Sequence, residues 1–256
     1  MAPHRRRVDR EKTRPSVFWL LNFPIAPAIG YLAKIEISGE EHLPETGPFV
    51  LTPNHYSEID PLVIALAVWR LGRAPRFFAK ESLFRIPLLG PAMRKAGMIP
   101  IARASSSAAA KETLDTARKL IETGSGVVVY PEGTLTRDPD LWPMRGKTGA
   151  ARLALAGDLP LIPVAQWGAQ EIMPRYGKLR LWPPRKRVRV VFGAPLDLSG
   201  SRELAQQSTE QARVTGVLMD ELTHLVEGLR GETAPAERWN PAQHGQKETG
   251  RLESEN

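Results

Sequence analysis

His55 and Asp60 stand five residues apart in Asn54-His55-Tyr56-Ser57-Glu58-Ile59-Asp60, a polar stretch between two apolar runs. An imidazole held by a carboxylate at one ring nitrogen accepts protons at the other, which is the chemistry of a general base. Five residues of α-helix would rotate through about 500° and put the pair on different faces. The spacing therefore calls for a turn that folds the imidazole back onto the carboxylate. The flanks supply one: Phe49-Val50-Leu51-Thr52 reads as a buried strand, and residues 61–69 read as a buried helix. Asp60-Pro61 is a helix start, with the carboxylate at the N-cap and proline at the first helical position. A histidine near a helix start is more often structural than catalytic, and the turn alone leaves both readings open.

Further candidates follow other strand-like segments. Lys80 ends Arg76-Phe77-Phe78-Ala79-Lys80, and Arg103 ends Gly97-Met98-Ile99-Pro100-Ile101-Ala102-Arg103. Val127-Val128-Val129-Tyr130 runs into Pro131-Glu132-Gly133-Thr134. Ligands of α/β sheets gather beyond the carboxyl ends of strands, so these groups and His55 could share one rim. Taken singly, each has an ordinary alternative: a solvated cation, or a turn ending a strand on a positive-φ glycine.

The elements that must position them alternate. Strand patterns recur at 34–39, 161–165 and 188–193, with helical patterns at 108–123, 148–156 and along Leu218, Leu222, Leu225 and Leu229. Ile86-Pro87-Leu88-Leu89-Gly90-Pro91 reads as a loop. The alternation predicts an α/β domain over 34–230, with a mixed, mostly parallel central sheet flanked by helices. From Gly231 to 256 the tail is polar and is expected to be disordered or loosely docked.

Residues 1–33 read differently. Arg5, Arg6, Arg7, Arg10, Lys12 and Arg14 precede an apolar run over 17–33 that Asn22, Pro24 and Pro27 interrupt. The run falls just short of the roughly 20 residues a spanning helix needs, and no convincing small-residue cleavage site follows it. It predicts an interfacial helix pair, with Phe18, Trp19 and Phe23 dipping into the acyl region. Packing on the protein's own core is the equal alternative.

Composition narrows the classes. The 256 residues carry a net charge of +7 and are 42% hydrophobic, enough for a substantial core and a bias toward acidic partners. The absence of cysteine excludes disulfides, zinc-thiolate sites and thiol nucleophiles. Five histidines show no metal-spaced cluster, so no metal is expected. Nucleic acid is not an expected partner, because the basic residues lack interleaved stacking aromatics and no reader motif occurs.

The set of blocks, in order over residues 35–195, resembles the glycerolipid acyltransferase family, typified by 1-acylglycerol-3-phosphate O-acyltransferase. Asn54–Asp60 is similar to its NHxxxxD motif, and Lys80-Glu81-Ser82-Leu83-Phe84 through Gly90 to Arg103 to its second block. Tyr130-Pro131-Glu132-Gly133-Thr134 is similar to its third and Leu161-Ile162-Pro163-Val164 to its fourth. The resemblance implies acyl transfer to a hydroxyl of 1-acylglycerol 3-phosphate or glycerol 3-phosphate, making phosphatidic acid or its precursor in phospholipid biosynthesis. His55 would take the hydroxyl proton and Asp60 would orient His55. Lys80, Arg103 and Arg137 would meet the acceptor phosphate, and Glu132, Gly133 and Thr134 would hold the glycerol end. No serine lies in a G-x-S-x-G elbow, so no acyl-enzyme is implied.

Acyl-CoA or acyl carrier protein would be the co-substrate, without a cofactor, on an anionic membrane surface. The implied location is the cytoplasmic face of the plasma membrane, peripheral or monotopic. One position departs from the pattern: the family often has arginine after Glu-Gly-Thr, whereas here Leu135 follows and Arg137 comes two residues later. Arg145 and Lys147 are placed to compensate. The departure keeps other acceptors open, such as a glycolipid or ornithine lipid. A basic membrane-binding module without catalysis is the reading from a different class.

Overall fold

The computed structural model describes residues 8–101, 107–201 and 203–247. The short helix α1 (Arg10–Thr13) leads into α2 (Val17–Leu32), which passes directly into strand β1 (Ala33–Ser38). Strand β2 (Phe49–Pro53) and helix α3 (Asp60–Arg70) flank the His55 turn. Strand β3 (Phe78–Lys80), helix α4 (Leu89–Lys95) and strand β4 (Ile99–Ile101) follow. Next come α5 (Ser107–Glu122), β5 (Gly126–Val128), α6 (Gly149–Gly157), β6 (Leu161–Trp167) and α7 (Ala169–Ile172). Strand β7 (Lys186–Phe192) and the long helix α8 (Ser208–Arg230) complete the body.

The main sheet has the order β1-β7-β6-β2-β5, and among the described residues only its β6–β7 ladder is antiparallel. This is the mixed, mostly parallel α/β sheet expected. Strands β3 and β4 form a separate parallel pair, linked to the main sheet by a bridge between Phe77 and Val128. Central β2 is buried along its whole length, as a strand covered on both faces must be. Its alternate side chains feed two cores. Leu51 packs with Ile29 of α2 and Val63 and Ile64 of α3, while Val50 packs with Ala150 and Leu153 of α6 and Leu218 of α8.

Three expectations need correction. The apolar run over 17–33 forms one helix of 16 residues rather than a pair, with Pro24 and Pro27 inside it. Both prolines lie on its exposed side. The carbonyls of Leu20 and Phe23, which they leave without an i+4 donor, are on that same outward face. The segment over 86–91 is only half loop, because α4 begins at Leu89. Gly90 and Pro91 sit in its first turn, where a missing N–H costs nothing.

The tail is docked as far as it is described. Ala234 packs on the cluster of Trp142, Leu222 and Val226, and Trp239 accepts the Arg145 N–H at 2.9 Å.

The start of the chain is also anchored. Asp9 pairs with the buried Arg73 at 3.0 Å and accepts the Ala74 N–H, and Glu11 pairs with Arg76. Among the described residues no helix is long and apolar enough to cross a membrane.

Candidate active site

The turn between β2 and α3 brings the predicted pair together. His55 Nδ1 lies 3.0 Å from Asp60 Oδ2. The same oxygen accepts the backbone N–H of Tyr56 at 2.7 Å and of Ser57 at 2.8 Å. Asp60 is therefore the first helical residue rather than the N-cap, and its carboxylate closes the preceding turn instead of capping its own helix. It is fully buried. Burial pushes its pKa up, against the lowering effect of His55 and the two amides. With Nδ1 donating to the carboxylate, Nε2 is the ring nitrogen left to accept a proton.

The histidine is held from three other directions. Its ring stacks on Tyr130 at a centroid distance of 4.1 Å. Its N–H donates to Glu132 Oε1 at 3.0 Å, and its carbonyl accepts the Thr136 N–H at 2.6 Å. Just before it, Asn54 Oδ1 accepts the Gln166 N–H at 2.9 Å and Asn54 Nδ2 donates to the Gln166 carbonyl at 3.1 Å. That amide pair ties the turn to β6 where the β2 ladder ends. Asn54 and Tyr130 were legible as motif letters, but their positioning work needs the cross-strand register to be seen.

The Glu132 carboxylate faces inward, toward backbone donors. It is fully buried, and its second oxygen accepts the Met144 N–H at 3.1 Å. Burial raises its pKa to about 8. Gly133 closes the turn with φ +71°, its N–H donating to the Tyr130 carbonyl at 3.1 Å, and it is exposed. Thr134 is half-buried beside it.

Lys147 N donates to the Pro131 carbonyl at 2.7 Å, and its side chain lies along Gly133. A Cβ on Gly133 would sit 3.1 Å from Lys147 Cδ and 3.4 Å from Nζ. This lysine, twelve residues beyond Leu135 in sequence, is at the turn in space.

The other predicted phosphate ligands divide. Lys80 is exposed and lines the same cavity as His55. Arg137 is buried, with Nη1 donating to Tyr176 Oη at 3.0 Å, and it does not line that cavity. Leu135 is buried as well. Arg103 lies outside the described residues.

The cavity beside His55 has a volume of about 430 Å³ and an apolar wall. Leu21 and Ile25 of α2, Ala65 and Leu66 of α3, and Met93 and Met98 contribute to it. Tyr130, stacked on His55, lines it as well. An imidazole with a free lone pair thus opens on a slot suited to a hydrocarbon chain.

A sequence model of the Acyltransferase family matches residues 34–167, which contain His55, Asp60, Lys80, Glu132, Gly133, Thr134 and Lys147. The chain is 32% identical over 142 residues to the chloroplastic 1-acyl-sn-glycerol-3-phosphate acyltransferase BAT2 of Brassica napus, covering 55% of this chain and 39% of that one. It is 30% identical over 161 residues to 1-acyl-sn-glycerol-3-phosphate acyltransferase alpha of Mus musculus, covering 63% and 55%. The matched stretch thus spans about half or less of these relatives. The crystal structure of the 1-acyl-sn-glycerophosphate acyltransferase PlsC from Thermotoga maritima superposes with a TM-score of 0.63 at 22% identity. It covers 89% of this chain and 85% of that one, so the likeness in fold extends beyond the matched motifs.

Proposed function

Since the chain belongs to the Acyltransferase family, we propose that it moves a fatty acyl group from a thioester to a free hydroxyl of 1-acylglycerol 3-phosphate, making phosphatidic acid. The observation that carries this reading is the His55–Asp60 pair, with His55 at the wall of an apolar cavity of about 430 Å³. His55 Nε2 takes the hydroxyl proton as the acceptor oxygen attacks the thioester carbonyl. The tetrahedral intermediate collapses, the C–S bond breaks, and the departing thiolate takes the proton back from the imidazolium. Asp60 stabilises that imidazolium and holds its tautomer. Both substrates react directly, and no acyl-enzyme forms.

Acyl-CoA or an acylated carrier protein is the donor, and the thioester supplies the activation without a cofactor. The acyl chain occupies the cavity between α2 and α3. Lys80 and Lys147 are the cations that meet the acceptor phosphate, with Arg103 as a further candidate. Gly133 and Thr134 border the glycerol end. The outward face of α2 rests on the cytoplasmic leaflet, where a lysolipid acceptor resides: Trp19, Leu20, Phe23 and Tyr31 are exposed along a helix that carries no charged residue. Residues 1–33 serve as this membrane segment.

The burial of Leu135 and Arg137 favours a second reading in which the acceptor is another lipid, such as a glycolipid or an ornithine lipid. Incubation with palmitoyl-CoA and a panel of acceptors, following thiol release and lipid product, separates the two. Product from 1-acylglycerol 3-phosphate that disappears in a folded His55→Ala variant is the expected result. Undiminished turnover in that variant would overturn the mechanism, and a preference for an unphosphorylated acceptor would install the second reading.

A further inference from the structure

Between α7 and β7 the chain runs from 173 to 185 without helix or strand, a length at which a loop usually has a function of its own. No acidic residue occurs from Pro174 to Arg187. At its tip Leu179, Leu181 and Trp182 are 46%, 58% and 78% exposed. Lys178, Arg180 and Arg185 are exposed among them. Single exposed apolar residues need no explanation, but three large ones alternating with cations on one loop do.

The loop is held in this shape. The Arg180 N–H donates to the Ile172 carbonyl at 2.7 Å, and Lys186 Nζ donates to the carbonyls of Arg180 and Pro183 at 2.9 and 2.5 Å. Tyr176 and Arg185 adopt φ of +58° and +56°, a backbone that non-glycine residues take only when their surroundings impose it. Its two ends are tied to significant places. The Arg185 N–H donates to the Tyr31 carbonyl at 2.8 Å, where the exposed apolar face of α2 ends. The Tyr176 N–H donates to Glu58 at 3.1 Å and the Met173 carbonyl accepts from Ser57 Oγ, so the other end is rooted on the catalytic turn.

We infer that this loop is a second bilayer-insertion element. Trp182, Leu181 and Leu179 enter the headgroup–acyl boundary of an anionic membrane, and Lys178, Arg180 and Arg185 pair with lipid phosphates. Together with the face of α2 it gives the protein two separated anchors, and so fixes how the His55–Asp60 turn sits over the lipid. An acidic carrier protein would match the charge but leaves the protruding indole and leucines without a role. The inference concerns where the protein rests, and it holds whether or not the chain transfers acyl groups.

The test uses the full chain with vesicles of phosphatidylglycerol and phosphatidylethanolamine whose acyl chains carry bromine near the headgroup. Tryptophan fluorescence of the wild type is quenched on binding, and Trp182→Phe loses a distinct share of that quenching while still binding. Leu181→Asp combined with Trp182→Asp weakens vesicle binding by about tenfold or more, and raised salt weakens the wild type further. Identical quenching in wild type and Trp182→Phe would overturn the inference, as would binding by the double variant within about twofold of wild type. Shielding of Trp182 by an acidic carrier protein, with no quenching by vesicles, would reassign the loop to that partner.

Discussion

Glu132 carries the backbone of His55: Oε1 accepts the histidine N–H at 3.0 Å while Oε2 accepts the Met144 N–H at 3.1 Å. One buried carboxyl thus joins the His55 turn after β2 to the segment that leads from β5 to α6. Because it faces inward, its effect on activity runs through the position of His55 and not through contact with substrate.

That carboxyl gives stability a pH dependence of definite sign. Its folded-state pKa is raised from 4.5 to about 8 by burial, so between those values the folded chain keeps a proton that the unfolded chain releases. Stability therefore falls as pH rises through this window. Asp60 and Asp138 are shifted in the same direction by burial. Glu132→Gln cannot release a proton, and its amide leaves one of the two backbone donors unmet at a cost of about 1–3 kcal/mol. Thermal denaturation from pH 5 to 8 should show a wild-type decline that is flattened in the variant, whose melting temperature is lower at pH 5.

Asp60→Asn separates geometry from charge. An amide oxygen can still accept from Tyr56 and Ser57, so the fold should survive, but an imidazolium would lose its counter-charge. We expect kcat to fall by roughly 10²–10⁴ with the Michaelis constants for donor and acceptor changed little. Steady-state kinetics check this beside circular dichroism of the folded variant. A large rise in either Michaelis constant with kcat retained would place Asp60 in substrate binding instead.

The apolar slot should set acyl chain length. Ala65 lines it from α3, and Ala65→Phe would fill part of the cavity with His55 and Asp60 themselves unchanged. Each methylene excluded costs about 0.8 kcal/mol, so kcat/KM for palmitoyl-CoA should drop about tenfold or more while that for a ten-carbon donor is nearly unchanged. A chain-length series of acyl-CoA donors reads the result directly.

How much of this could be read in the sequence depended on how far away the deciding partner lay. The strand at Phe49, the turn and α3 were legible because an apolar run, a polar break and Asp60-Pro61 are local signals. The two prolines of α2 misled, since only the fold shows that they face outward, where the carbonyls they free are accessible. Gly90 and Pro91 looked like breakers because the first turn of α4 tolerates what its interior would not. The inward orientation of Glu132 and Arg137 was not legible, for a different reason. Each is turned inward by a partner well along the chain, Met144 for one and Tyr176 for the other, and no local pattern announces such a partner.

Lys147 replaces Arg137 as the cation to test at the Glu-Gly-Thr turn. Its backbone is fixed to Pro131, its side chain lies against Gly133, and Gly133 follows the residue that carries His55. A phosphate resting on that exposed glycine would meet the ammonium with no rearrangement of the turn. One charge-assisted hydrogen bond contributes about 1.5–3 kcal/mol, so Lys147→Ala should raise KM for a phosphorylated acceptor by at least about tenfold. The donor's KM should not move, and kcat should stay within about threefold, because the substitution leaves the proposed proton transfer to His55 in place. Lys147→Arg should recover most of the loss, and the wild-type advantage should shrink as salt is raised. Should Lys147→Ala instead lower kcat at unchanged acceptor KM, the lysine would be bracing the turn, and the phosphate would have to be held by Lys80 and its neighbours.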